Sequence, residues 1–327
     1  MARTLSVSIE RFPIAGSFRI SRGSRTEAVV VVATIEDNGI IGRGECVPYP
    51  RYGETVEGVA ELIQAQAAAI AGGLTRAQLQ DVLPGGAARN ALDCALWDLE
   101  AKQTDKPVWE LAGLPAPRPT ITAYTLSLGE PAEMEAAAAK ASARPLLKVK
   151  LGGVGDPERI RAVRRGAPSS TLIVDANEAW DKDTIEENLA ACREVGVALI
   201  EQPLPAANDS LLASIKSPIP ICADESVHER HGLADVATRY QAINVKLDKT
   251  GGLTEAVALV TEAKSLGLGL MIGCMVGTSL AMAPAMLLAA GADFVDLDGP
   301  LLLAKDREPG LKFEGSEITP AERELWG

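Results

Sequence analysis

Leu146-Leu147-Lys148-Val149-Lys150-Leu151 is the stretch on which the fold turns. Its apolar residues predict a strand, and because alternate residues of a strand point to the same side, Lys148 and Lys150 share one face. Two lysines on one face are not ordinary core. An edge strand with its lysines in water is the plain alternative, and the segments around it decide between the two.

Downstream, the chain keeps a regular beat. Strand-like runs at 120–128, 146–151, 171–174, 197–200, 219–222, 242–247, 268–272 and 294–297 alternate with helical stretches at 157–165, 184–195, 210–215, 233–240 and 253–266. Such alternation predicts parallel βαβ units, and eight strands predict an eightfold barrel. A doubly wound open sheet competes, but no glycine-rich dinucleotide fingerprint follows the first strand.

Charges recur at the carboxyl ends of these strands, where a barrel builds its active site. Lys148 and Lys150 close the second strand, Asp175 the third, Glu201 the fourth, Asp224 the fifth and Lys246 the sixth; Asp296 and Asp298 end the eighth. Three carboxylates on successive strands, without histidine or cysteine, make a hard oxygen site that suits Mg²⁺. A helix-capping role would explain one of them more readily than all three. The second and sixth strands are opposite in a ring of eight, so Lys150 and Lys246 face each other across the metal. One can take a proton from a carbon beside a carboxylate while the other returns it from the far side, with Mg²⁺ holding the enolate. Lys148 and the metal ion would depress the pKa of Lys150 and keep it neutral as a base.

Upstream, residues 1–45 read as an antiparallel meander: Leu5-Ser6-Val7-Ser8-Ile9 alternates, 28–35 is β-branched, and Asp37-Asn38-Gly39 makes a turn. Arg19, Arg22 and Arg25 cluster between the first two strands, as a solvated turn or an anion clamp; the residues alone favour the turn. Helical periodicity starts at Glu54, and a second helix over 87–100 carries an apolar stripe of Ala88, Leu92, Ala95, Leu96 and Leu99. The proline-rich 113–119 segment marks a domain boundary. His228 and His231 read as solvated side chains, and Gly251-Gly252 as a tight strand-to-helix turn rather than a phosphate cradle.

Composition narrows the function classes. The 327 residues are 47% hydrophobic, which predicts a globular chain throughout. With 32 Lys+Arg against 44 Asp+Glu, a net charge of -12 and no basic stripe, nucleic acid is excluded as a partner. Five scattered cysteines read as reduced thiols of a cytoplasmic protein, and the first ten residues lack the apolar core of a secretion signal. The uncharged stretch 265–292 is broken by glycines and Pro284, so it reads as strand, loop and buried helix rather than a membrane span. A homo-oligomer is compatible with all of this.

The Lys148-Val149-Lys150 pair, the Asp175, Glu201 and Asp224 set and Lys246 resemble the enolase superfamily, muconate-lactonising subgroup. Gly42-Arg43-Gly44-Glu45-Cys46, the 87–99 helix and Asp296-Leu297-Asp298-Gly299-Pro300 extend the resemblance over nearly the whole chain. Arg22-Gly23-Ser24-Arg25, Pro48-Tyr49-Pro50-Arg51-Tyr52-Gly53-Glu54 and Ile272-Gly273-Cys274-Met275 are similar to the subgroup's dipeptide epimerases. The resemblance implies an α/β fold: a modified TIM barrel, (β/α)7β, over 116–300, and an α+β capping domain over 1–115 that the 301–327 segment rejoins. It further implies Mg²⁺ on Asp175, Glu201 and Asp224, with Lys150 and Lys246 as the acid/base catalysts. Lys148, Thr125 and Thr278 would contact a dipeptide substrate, and Asp296 and Asp298 would bind its terminal ammonium. An arginine, Arg22 in preference to Arg25, would grip a glutamate side chain. The implied reaction interconverts L-Ala-D-Glu and L-Ala-L-Glu in murein peptide recycling. An o-succinylbenzoate synthase or muconate cycloisomerase of the same subgroup is the alternative, and a non-catalytic binding protein the third reading; the aspartate pair separates the first two, since neither alternative substrate carries an ammonium.

Overall fold

A computed structural model describes residues 3–327. The alternating N-terminal segments pair as the antiparallel meander β1 (Thr4–Ile20), β2 (Gly23–Asp37) and β3 (Ile40–Cys46). Asn38 at φ 53° and Gly39 at φ 83° make the tight β2–β3 turn that their residue types favour. The β1–β2 register shifts between Pro13 and Phe18. Beyond it the hairpin tip reaches the barrel, where the Ser21 hydroxyl donates to the Asn177 carbonyl at 3.0 Å.

The helix Ala87–Thr104 carries more than the expected apolar stripe: Arg89, Asn90, Asp93 and Asp98 are buried as well. It is wedged between two layers. On one side Gly42 and Gly44 let β3 touch its backbone, and a Cβ on Gly44 would lie 2.1 Å from the Ala91 carbonyl oxygen. On the other side the barrel and the chain's last residues cover it: Trp326 Nε1 donates to the Cys94 carbonyl at 3.0 Å. Polar residues survive there because each has partners. Arg89 donates to the carbonyls of Leu83, Thr250 and Gly251, while Asp93 accepts from the Thr254 amide at 2.9 Å and its hydroxyl at 2.6 Å. Asp93 thus caps the helix Leu253–Ser265, and the cradle weighed at Gly251-Gly252 already holds a carboxylate.

The expected first barrel strand divides in two. β4 (Thr120–Ile121) pairs with a C-terminal hairpin, and only β5 (Tyr124–Leu126) enters the barrel, because the Thr122 side chain breaks the run by accepting from the Leu297 amide at 2.8 Å. The parallel strands β6 (Leu146–Lys150), β7 (Thr171–Asp175), β8 (Val197–Glu201), β9 (Ile221–Ala223), β10 (Ala242–Val245), β11 (Gly269–Ile272) and β12 (Phe294–Val295) follow in sequential order. The Ala123 amide donates to the Val295 carbonyl at 2.8 Å and joins the two ends of the sheet. β13 (Phe313–Glu314) and β14 (Glu317–Ile318) form the hairpin on β4. Two expected helices are shorter: Ser210–Ser214 is 3₁₀, and Leu233–Val236 is a single turn. The uncharged stretch divides into β11, a loop and the helix Ser279–Met286, and no described helix is long and apolar enough to cross a membrane.

β6 is fully buried between β5 and β7, so its lysines are not on an edge. Strand alternation builds layers inside the barrel. Ala123, Leu146, Ile173, Leu199, Cys222, Ala242 and Met271 form an apolar layer. Two residues further along the same strands stand Lys148, Asp175, Glu201, Asp224, Asn244 and Gly273.

Candidate active site

This polar layer is built by register. Lys150 pairs with Asp175 across β6–β7, and Asp175 with Glu201 across β7–β8. Asp224 follows β9, and ligand oxygens from Asp175, Glu201 and Asp224 all lie within 4.8 Å of one another. Four lysines surround them. Lys148 Nζ is 2.6 Å from Glu201 and 2.8 Å from Asp296; Lys150 Nζ is 2.6 Å from Asp175. Lys246 Nζ is 2.6 Å from Asp224 Oδ2, and Lys249 Nζ 2.6 Å from Asp224 Oδ1. Asn244 Nδ2 donates to Glu201 Oε1 at 2.7 Å, and a Cβ at residue 273 would lie 2.4 Å from Asn244 Oδ1, so glycine there leaves room for the amide.

Burial opposes every one of these charges, and the neighbours decide which survive. Asp175 is held below its usual range by Lys150 and Lys148, and Asp224 well below by Lys246 and Lys249. Glu201 goes the other way: burial and the Asp175 charge push it up to about 7. Lys148 is held charged by Asp296 and Glu201, and Lys246 by Asp224 and Glu201. Glu201 Oε2 is buried and ion-paired with Lys148 Nζ at 2.6 Å but, among the described residues, receives no well-directed hydrogen bond. A hard divalent cation fits this set: it accepts all-oxygen ligands, takes up the unsatisfied oxygen and offsets the repulsion that raises Glu201.

Above the layer lies a cavity of about 420 Å³ between the barrel mouth and the capping segments. Lys150, Asp224 and Lys246 line its barrel side; Arg22, Arg25, Tyr49 and Tyr52 line the other. Lys150 ends the second strand and Lys246 follows the sixth, which places them on facing walls. Within three residues of two of the carboxylates, Asn177, Glu178 and Gln202 hold φ of 46°, 66° and 35°, backbone strain of the kind that gathers at functional sites.

The arginine cluster divides: Arg19 and Arg25 are exposed, as expected of a solvated turn, while Arg22 is engaged. Arg22 donates to Asn177 O, Tyr49 Oη, Glu178 and, at 2.7 Å, Glu225, so its donors are spent in latching the hairpin tip to the barrel. Arg25 makes no ion pair among the described residues; its guanidinium lies 5.6 Å from the Tyr49 ring centroid, on the cavity wall.

Lys148, Thr125, Thr278, Asp296 and Asp298 stand behind the wall rather than on it. Thr278 was expected to touch substrate, but its hydroxyl donates to Glu45, its amide donates to Glu45 Oε1 at 2.8 Å, and Arg307 braces both. It caps the helix Ser279–Met286. The Thr125 amide donates to Asp298 Oδ2 at 2.6 Å, and burial with the Asp296 charge pushes Asp298 up to about 7. Asp296 faces Lys148. Of the two histidines, His231 is exposed, but His228 packs edge-on against Tyr52 at 4.4 Å and burial lowers it to about 4, correcting its reading as solvated.

Three further residues at the site, Asn244, Lys249 and Tyr52, belong to none of the strand-end charges that the sequence brings out. Asn244, a lone amide in an apolar strand at an inward-facing position, was a usable signal; Lys249 and Tyr52 carried none.

Known proteins share both halves of this arrangement. Residues 2–113 match the "Mandelate racemase / muconate lactonizing enzyme, N-terminal domain" family, and residues 132–310 the "Enolase C-terminal domain-like" family. An L-Ala-D/L-Glu epimerase of Escherichia coli is 48% identical, over 97% of this chain and 99% of its own. An N-acetyl-D-glutamate racemase of Pseudoalteromonas is 45% identical, over 91% of this chain and 95% of its own. A crystal structure of an enolase family member from Agrobacterium tumefaciens, with homology to dipeptide epimerases and with bound sodium and L-Ala-L-Glu, superimposes with a TM-score of 0.98 at 57% identity, covering 99% of this chain and 100% of that one. A capping meander of one family and a barrel of the other, joined in one chain and shared almost end to end with these relatives, place the protein in the mandelate racemase and muconate-lactonising group of the enolase superfamily.

Proposed function

We propose that the protein is a dipeptide epimerase that inverts the glutamate α-carbon of L-Ala-D-Glu and L-Ala-L-Glu. The observation that carries this reading is that Lys150 and Lys246 line one cavity from strands four apart in the eight-stranded sheet, each 2.6 Å from a carboxylate of the candidate metal site. Inversion by two bases needs a proton donor and a proton acceptor on opposite faces of one carbon. Mg²⁺ held by Asp175, Glu201 and Asp224 would supply the positive charge that makes a proton beside a carboxylate acidic enough to remove. Lys150 then takes the α-proton on its side while Lys246 delivers one from the other, and the reverse reaction exchanges the roles. Lys148 keeps the floor of the site positive. Arg25, with no ion pair of its own, takes the glutamate side-chain carboxylate; Arg22 is already spent on Glu178 and Glu225. These local cations draw an anionic substrate to a protein of net charge -12. Peptides released from murein would be the source of the substrate.

A second reading is racemisation of N-acetylglutamate. Dipeptide and N-acetylglutamate are both N-acyl glutamates with the same reacting carbon, and differ at the ammonium. Asp296 Oδ2 and Asp298 Oδ2 are engaged by Lys148 and the Thr125 amide, but Glu27, Asp224 and Glu225 line the cavity, so carboxylates remain on the wall for an ammonium and the dipeptide keeps its place as the first reading. The relatives named epimerase and racemase support either over the lyase and cycloisomerase alternatives. Incubation of L-Ala-D-Glu and N-acetyl-D-glutamate separately in D₂O with Mg²⁺ tests both by NMR. Deuterium at the glutamate α-carbon with inversion of the dipeptide is expected. Exchange of N-acetylglutamate alone replaces the first reading by the second, and exchange of neither overturns both.

A further inference from the structure

Tyr52 lies in the capping loop, in the 3₁₀ turn Pro50–Tyr52 that Gly53 ends at φ 78°. The loop is pinned, since the Glu54 carboxylate accepts from the amides of Tyr49 at 2.9 Å and Ala87 at 2.8 Å. The Tyr52 ring packs edge-on against Tyr49, at 5.2 Å, and His228, at 4.4 Å. That hydroxyl is shut off from solvent and has no hydrogen-bond partner among the described residues, although the side chain lines the cavity. A buried phenol ordinarily finds partners. Tyr240 in this same barrel does so, with Asp209, Gln202 and Ser226 around its hydroxyl.

We infer that Tyr52 is a substrate-binding residue whose hydroxyl donates a hydrogen bond to the acyl carbonyl oxygen of an N-acyl glutamate, an assignment that rests on the function proposed above. Asp224, Lys246 and Glu225 all act on the phenol, and burial with Asp224 keeps it protonated, so it acts as a donor. The substrate's α-carboxylate belongs at the metal site and its side-chain carboxylate at Arg25. Asp224 and Glu225 outweigh Lys246 in the charge around the phenol, so a neutral carbonyl oxygen suits this donor better than a carboxylate. The hydroxyl orients the acyl group and thereby holds the α-carbon between the two lysines.

Tyr52→Phe tests this against wild type in Mg²⁺. Because the hydroxyl has no partner in the free protein, the ligand-free Tm stays the same or rises. The Kd for L-Ala-L-Glu by calorimetry and the KM for L-Ala-D-Glu weaken about tenfold, the size of one hydrogen bond, while kcat changes less than about threefold. A reduced-amide analogue of the dipeptide, which lacks the carbonyl oxygen, binds both proteins alike. Unchanged Kd and KM in the variant overturn the assignment, as does a lower ligand-free Tm with unchanged binding. A weakening equally large with the reduced-amide analogue removes the carbonyl as the acceptor. Wild type that binds neither dipeptide nor N-acetylglutamate overturns the proposed function together with this inference, whereas an active wild type matched by the variant overturns the inference alone.

Discussion

The interface under the helix Ala87–Thr104 and the mouth of the barrel both bury charge, and they treat it in opposite ways. Under the helix, Arg89, Asp93 and Asp98 each meet backbone or side-chain partners. At the mouth, four lysines crowd three carboxylates, and among the described residues Glu201 Oε2, Asp296 Oδ1 and the Tyr52 hydroxyl have no hydrogen-bond partner. Buried charge that is fully paired holds two layers together; buried charge left partly unpaired is arranged for something that arrives later. The layer just below the mouth, with Leu146 and Ile173, shows the same strands doing ordinary core work two residues away.

The largest effect separates these regions by chemistry. Lys150→Ala and Lys246→Ala each lower kcat for L-Ala-D-Glu by ~10³-fold, the scale of a lost general acid or base, while the urea midpoint stays near wild type or above it. A variant that inverts at the wild-type rate breaks the division. Next, Glu201→Gln weakens Mg²⁺ affinity by ~10²-fold, read by calorimetry, without lowering stability in chelator, because the carboxylate it removes is the one its surroundings already disfavour. Arg89→Ala does the converse. It strands three carbonyls and costs about 2 kcal/mol in urea denaturation, with Mg²⁺ affinity unchanged. A change in metal binding there would show that the two regions are one unit.

The smallest effect is a pH slope. Burial raises Asp93 to about 6 and Asp248 to about 7, and both lie under the helix. A carboxyl with a raised folded pKa binds its proton more tightly folded than unfolded, so stability falls as pH rises from about 4 to 7. In saturating Mg²⁺, each lowers stability by at most about 1.4 kcal/mol per pH unit within that window. Asp93→Asn flattens part of the slope; a slope that disappears only on varying Mg²⁺ belongs to the mouth instead.

Much of the mouth was legible because a strand's two-residue period is local. Once Lys148 and Lys150 lie on a strand in a parallel barrel, their shared face points inward, and charges ending successive strands converge. The arginines show where that logic stops: Arg22 and Arg25 are three residues apart, and only the meeting of the hairpin tip with Glu178 and Glu225 spends one and leaves the other. Thr278 shows it again, since Glu45, 233 residues away, takes up the hydroxyl and amide of a supposed substrate contact.

The sequence by itself determined the barrel, its eightfold beat and which strand ends carry charge, because periodicity and strand-end chemistry are written within a few residues. Only the tertiary structure decided which of those charges are free. Whether a buried polar atom is satisfied depends on partners brought from distant segments, and at the barrel mouth that difference separates a group that holds the fold from one that meets a ligand.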